Sequence, residues 1–334
     1  SGITTSVMYA LKRGINKRAR DFGLVVCGGR GKYSRKTPEE LLFVSNMAGL
    51  DGNALVKDSK LVAKVDNTAV QDGFQLYQHN FIVSDEGDWT VVQQGMNAQT
   101  KTARRYHWCS ENLKSFVEEP HTGVTGENQE FILNLTDRSA AETRNSILTI
   151  AKENPERIIK EVKDMQALGL PDNLRPLDKL DGPKQLFVPE DRSIVMPAHH
   201  DVRPEDVNLK RLGSVLVTAY ESDPKDFESL LLTPGLGPRT LQSLTLVSEV
   251  INGTPSRFRD PARFSFAHGG KDGHPFPVPC RIYDESICIL GDAIEKSRMG
   301  YKEKSECINR LHVTQLKIEE KCDPRADFDA VIEH

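Results

Sequence analysis

Leu230-Leu231-Leu232-Thr233-Pro234-Gly235-Leu236-Gly237-Pro238-Arg239-Thr240 is the most informative stretch of the chain. An apolar run stops at a Pro-Gly pair, a second glycine follows, and Pro238 opens a helical pattern from Leu241 to Ile251. Proline is tolerated in the first turn of a helix, where its missing N–H has no partner to lose. The two glycines permit positive φ and let an anion approach bare backbone. First-turn N–H groups lack intrahelical partners and carry the positive end of the helix dipole, and Arg239 adds a cation beside them. Pro234, Gly235, Leu236, Gly237, Arg239 and Thr240 are thus candidate holders of a phosphate backbone, gripping it without reading bases. The competing reading is a tight turn between two packed helices.

This pattern resembles the helix-hairpin-helix motif of DNA-binding proteins: an apolar run, a Pro-Gly-apolar-Gly turn, then a second helix. Upstream of it, Asp223-Pro224 starts the preceding helix. Before that, Val207 to Tyr220 reads as a helix with Leu212, Val215, Leu216 and Ala219 inward. Residues 170–205 hold six prolines and little periodicity, which predicts a connector. His199-His200-Asp201 lies beside it; at most one of the adjacent histidines enters a given site, and a structural role competes.

Downstream, Phe266 to Pro275 gathers His268, Lys271, Asp272 and His274 in a glycine-rich loop. A Lys beside an Asp after a helix-hairpin-helix resembles base-excision glycosylases, in which Lys is a Schiff-base nucleophile. The positions disagree: that lysine sits on the hairpin's second helix, where this chain has Thr240 and Leu241. Lys271 is therefore expected to face DNA without forming a Schiff base.

The N-terminal half reads differently. Ile3, Val7, Leu11, Ile15 and Ala19 mark one helix face, and Gly23 stops the helix. Leu24 to Cys27 reads as a strand, followed by a Gly28–Lys32 loop. That loop is not a Walker A: Val26 stands at the first glycine position and Tyr33 follows Lys32. Between 12 and 36 nine Lys/Arg face one acid, Asp21. Arg30 and Lys32 are candidate phosphate contacts there, unless the stretch is simply a solvated helix and loop. Thr37-Pro38-Glu39-Glu40 predicts a capped helix ending near Gly49. Leu61 to Val65 reads as a strand ending at Asp66, Phe74 to Ser84 and Trp89 to Gln94 as a hairpin closed by Asp85–Asp88, and Phe131 to Leu135 as a further strand. Arg104-Arg105-Tyr106-His107-Trp108 interleaves cations with aromatics, either for single-stranded nucleic acid or as a strand edge with Trp108 in the core. A capping box at Ser139 and Glu142 opens a helix, and Pro155 to Leu168 forms another.

A strand-end aspartate before an antiparallel meander resembles the way ribonuclease-H-like nucleases, including the NurA type, place their first metal carboxylate. Asp66 and Asp72, with Glu118 or Glu119, are the candidate ligands for Mg or Mn, and Gln93 or Gln94 a candidate to orient water or phosphate. No D-x(n)-[DE]-x-K signature follows. A satisfied polar network is the competing reading of the same residues.

The whole chain has 334 residues, 28% charged and 38% hydrophobic, with net charge −4. This predicts two or three domains of a globular protein and no global basic field. No apolar run is long enough for a membrane span, and no secretory leader is visible. Six cysteines without a C-x-x-C pair fit a reducing cytoplasm. A start at Ser1, almost directly into a helix, suggests a trimmed chain.

Several strings together are similar to the archaeal and bacterial family called domain of unknown function 763 (DUF763). They are Gly31 to Glu39, Ala63 to Asn67 with Gln71-Asp72-Gly73, Val91 to Asn97, Ala103 to Trp108, Phe116 to His121, and Ser265 to Gly273. The resemblance runs over about residues 1–300 and implies no chemistry. Family members begin with a further segment, which again suggests a truncated start.

The expected fold is α+β: a mixed α/β domain at 1–150, a helix and Pro-rich connector at 151–205, a helix-hairpin-helix domain at 206–300, and a charged helix and tail at 301–334. The expected function is a DNA-binding protein of DNA repair or processing, with metal-dependent cleavage as a candidate activity. The alternatives are a non-catalytic DNA-binding or scaffold module and a glycosylase-like protein.

Overall fold

The structure is a computed structural model that describes residues 2–168, 195–262 except 198, 201 and 204, and 280–320. The elements run α1 (Gly2–Lys17), α2 (Ala19–Phe22), β1 (Leu24–Arg30), α3 (Thr37–Ala48), α4 (Gly52–Lys64), β2 (Val70–Gln71), β3 (Gln75–Ser84), β4 (Trp89–Met96), β5 (Ala103–Cys109), β6 (Gly123–Thr125), β7 (Phe131–Asn134), α5 (Ala141–Lys152) and α6 (Pro155–Leu168). They continue with α7 (Leu209–Ser222), α8 (Phe227–Leu231), α9 (Pro238–Asn252), β8 (Phe258–Arg259), α10 (Cys280–Lys296) and α11 (Tyr301–Glu319). The fold is α+β with antiparallel sheets: a five-stranded sheet ordered β1-β3-β4-β5-β6 and a three-stranded one ordered β2-β7-β8.

Two compact units result: Ser1–Tyr9 with Cys27–Arg263, and Ala10–Val26 with Phe264–His334. The boundaries expected at 150 and 206 fall inside the first unit, where β7 pairs with β8 and α5 packs on α9. In the second unit α10 packs on α11. There the Arg18 guanidinium bridges Asp21 and Glu303, each at 2.7 Å.

The large sheet follows from period-two patterning. Along β5, Arg104, Tyr106 and Trp108 are buried while Arg105 and His107 lie on the other face, half-buried. In register across β3, β4 and β5, His79, Gln93 and Tyr106 form one row, and Phe81, Val91 and Trp108 the next. Phe81 and Trp89 are 5.1 Å apart at their ring centroids, and Phe116 stacks on Trp89. The β3–β4 hairpin closes at Asp85–Asp88, as the turn residues predict.

Several local expectations need correction. Leu61 to Val65 is helical: Asp51 caps α4, accepting from the N–H groups of Asn53 and Ala54, and Leu55, Ser59 and Val62 recur on its buried side. Asp66 therefore sits in a wide helical turn, Val65–Ala69, and not at a strand end. Gly28 and Gly29 belong to β1, and a 3-10 turn, Gly31–Lys36, follows. The helix expected from Thr37 has Lys36 at its N-cap and Thr37 as its first residue, and the Glu40 carboxylate accepts from Gly28 N–H at 2.7 Å. Asp137 takes the capping role read at Ser139, and Asp226 the one read at Asp223. On α1, Ile3 and Val7 are 74% and 49% exposed while Met8 is buried. The first turn of α1 delivers hydroxyls to the polar sheet face: Thr5 donates to Gln78, and Thr4 accepts from Arg105.

Candidate functional site

The turn after α8 is built from its sequence. Leu236 N–H donates to Thr233 C=O at 3.1 Å, closing a four-residue turn with Pro234 second and Gly235 third. That is type II chemistry: proline presets φ, and the third position needs positive φ, which Gly235 supplies at 85°. Leu236 is buried and anchors the turn, whereas Pro234, Gly235 and Arg239 are exposed. Gly237 is extended at φ −126° and precedes Pro238, the first residue of α9. The helical ladder starts with Leu241 N–H to Gly237 C=O at 3.0 Å, so the N–H groups of Arg239 and Thr240 lie ahead of it. Thr240 is buried, with its hydroxyl inside the fold.

Cations surround this turn. A side chain at Gly237 would place its Cβ 3.4 Å from the Arg211 guanidinium, so Arg211 on α7 lies over the bare backbone there. Lys64, at the end of α4, donates to Leu236 C=O at 2.5 Å. Burial pulls its ammonium pKa down. Gln71 donates to Pro238 C=O at 2.8 Å. Neither Arg211 nor Lys64 was legible as a turn neighbour: each is far off in sequence, and Lys64 lay in a segment that reads as a strand.

The residues expected to hold a metal fall into separate networks. The Asp66 side chain is fully buried, and its carboxylate accepts from Gln93 Nε2 at 2.5 Å, from Trp108 Nε1 at 2.9 Å, and from His121 Nε2 at 2.5 Å. Gln93 in turn accepts from His79 Nδ1 at 2.7 Å, and His79 Nε2 accepts from the Ser59 hydroxyl at 2.9 Å. Burial lowers the His79 pKa, with the bond to Gln93 opposing it. The neutral ring then carries its proton on Nδ1, and every donor in the chain points towards Asp66. His121 arrives on the loop between β5 and β6. There Glu119 has a φ of 45°, and Arg138 and Arg144 hold Glu119 and Glu118.

Asp72 belongs elsewhere. Arg104 pairs with it at 2.9 Å and with Asp260 through two bonds of 2.9 and 2.8 Å, all three side chains being fully buried. Tyr106 OH donates to Asp72 at 2.6 Å. Burial pushes the Asp72 carboxyl up, against the pull of Arg104 and Tyr106.

The donor set does not fit a divalent cation. Three N–H groups already occupy the buried Asp66 carboxylate, two on Oδ2 and one on Oδ1, Arg104 neutralises Asp72, and Glu118 serves Arg144. Among the described residues no group of three or more His, Cys, Asp or Glu is placed to hold a metal ion. The satisfied polar network is the reading that matches Asp66, Asp72 and Gln93.

Arg104 is likewise corrected as a surface cation, because it is the centre of a buried ion triad. Arg105 is half-buried, bonded to Thr4 and to His107. Desolvation, with Arg105 and His121 nearby, pushes the His107 pKa down to about 4. Arg30 and Lys32 are exposed, each within 6 Å of a tyrosine ring: Arg30 at 5.8 Å from Tyr77 and Lys32 at 5.6 Å from Tyr33. His199 and His200 go to different acids, Asp206 and Glu249. Asp201, Lys271 and Asp272 lie outside the described residues.

The sequence model of the family described as protein of unknown function (DUF763) matches residues 1–278. No curated protein and no solved structure matches the chain. Among the described residues no helix is long and apolar enough to cross a membrane.

Proposed function

We propose that this chain, which belongs to the DUF763 family, is a DNA-binding protein that grips the phosphate backbone through a helix-hairpin-helix at α8 and α9. The observation that carries the reading is the extended Gly237 at the start of a 15-residue helix, flanked by the exposed Arg239 and by Arg211. A phosphate at this point meets backbone N–H groups, the positive end of a helix and two guanidiniums. None of these contacts reaches a base edge, so binding is indifferent to sequence. The exposed Arg30 at the end of β1, with Lys32, Arg35 and Lys36 on the 3-10 turn that follows, offers a second basic element, suited to a longer stretch of backbone. Sequence-indifferent backbone recognition is compatible with the role in DNA repair or processing expected from the sequence.

The test is a titration of labelled single-stranded and duplex DNA of unrelated sequences. Similar affinities across sequences, falling steeply with salt, support the reading. Absence of binding at low salt overturns it. Adding Mg or Mn to the same mixtures shows whether cleavage accompanies binding.

A further inference from the structure

The hairpin is not self-supporting. Two of its carbonyl groups are held from a segment about 170 residues earlier: Leu236 C=O by the Lys64 ammonium at 2.5 Å and Pro238 C=O by the Gln71 amide at 2.8 Å. A trans peptide points its C=O and the following N–H in opposite directions. Fixing Leu236 C=O therefore fixes Gly237 N–H, and fixing Pro238 C=O fixes Arg239 N–H. These are the two N–H groups on either side of Pro238, where a phosphate would sit. The carbonyls turn towards the α4–β2 segment, and their N–H partners turn away from it.

We propose that Lys64 and Gln71 are positioning residues for backbone binding, clamping the hairpin so that Gly237 and Arg239 present their N–H groups to phosphate. The inference rests on the function proposed above. Lys64 acts through the Leu236 peptide rather than by touching the phosphate. Its side chain is half-buried against the hairpin, and burial already works against its charge. Gln71 is almost wholly buried and also bonds Thr68 C=O at 3.1 Å, which braces its amide for the reach to Pro238. Both residues flank the turn that carries Asp66, so the buried polar network and the hairpin share one short support, residues 64–71.

Lys64→Met and Gln71→Met keep side-chain bulk and remove the donors. Two measurements on the full chain separate the possibilities. Amide hydrogen exchange without DNA should quicken over residues 235–241 in both variants, with melting temperatures near wild type. Duplex affinity should fall roughly tenfold for Lys64→Met and about threefold for Gln71→Met. The slope of log K against log salt should stay at the wild-type value for Lys64→Met, whereas Arg239→Ala should reduce it by about 0.9. Unchanged exchange at 235–241 overturns the clamp whatever DNA does. A slope lowered by Lys64→Met makes Lys64 a direct phosphate contact and overturns positioning. If wild type fails to bind DNA while exchange still quickens, the hairpin is clamped for some other purpose and the DNA-binding reading falls. Should Lys64→Met not fold, Gln71→Met carries the same comparison.

Discussion

Arg104→Met should cost about 3–5 kcal/mol at neutral pH, the range for breaking a buried ion pair by removing one partner. The side chain holds Asp72 and Asp260, donates to Glu127 C=O, and lies 4.8 Å from the Phe74 ring centroid. Methionine fills the volume and leaves two buried carboxylates without their cation. Such a loss is a large share of the roughly 5–15 kcal/mol that separates native from unfolded states. It should also depend on pH. Burial already raises the Asp72 carboxyl, and Arg104 is the largest influence pulling it back. Without Arg104 the folded-state pKa rises further above the unfolded value. The protonated form is then the one the fold tolerates, so stability is present at low pH and lost as pH rises through the folded pKa. The penalty should be smallest near pH 4 and grow towards pH 8, by up to about 1.4 kcal/mol per pH unit for one proton. Urea unfolding followed by tryptophan fluorescence at several pH values measures this, since Trp89 and Trp108 are both buried. A variant within 1 kcal/mol of wild type at pH 8, or a penalty flat with pH, would refute the triad as a structural necessity.

Asp66→Asn should destabilise by roughly 2–4 kcal/mol, because an amide turns a donor towards the N–H groups of Gln93, Trp108 and His121; thermal melting tests it, and an unchanged melt contradicts the network. Gly28→Ala should be at least as harmful: φ is 85° and the new Cβ would lie 2.3 Å from His79 C=O, so poor folding is expected and a wild-type melt would contradict the backbone geometry. His107, with its pKa lowered to about 4, binds protons in the unfolded state before it does so in the fold. Stability should therefore decline as pH falls from about 6.5 to 4, and His107→Gln should lessen that decline in pH-dependent urea midpoints.

Much of the framework was legible because local chemistry sufficed. The β3–β4 hairpin follows from alternating runs joined by Asp85–Asp88, and α3, α6, α7 and α9 follow from period and stop signals. Leu61-Val62-Ala63-Lys64-Val65 misled because five residues rich in β-branching are too few to show a 3.6 period. The Asp51 cap, ten residues upstream, was the available sign of a helix. Arg104 was recoverable from strand alternation, since it shares its side with Tyr106 and Trp108. Its partner Asp260 was not, being 156 residues away and delivered by β8. His121 likewise reaches Asp66 across 55 residues, through a loop with no regular period. Gly235 and Gly237 were readable because a type II turn and a helix start impose their residues locally. Their neighbours Arg211 and Lys64 depend on tertiary packing.

The most direct test of backbone recognition compares wild type, Gly235→Val and Arg239→Glu for duplex binding by fluorescence anisotropy across a salt series, with circular dichroism as the check on folding. The account predicts sequence-indifferent binding by wild type. Gly235→Val should weaken it because valine resists the positive φ of that position, and Arg239→Glu because it sets an anion beside the phosphate. Folded variants that both bind with wild-type affinity and wild-type salt dependence would contradict it.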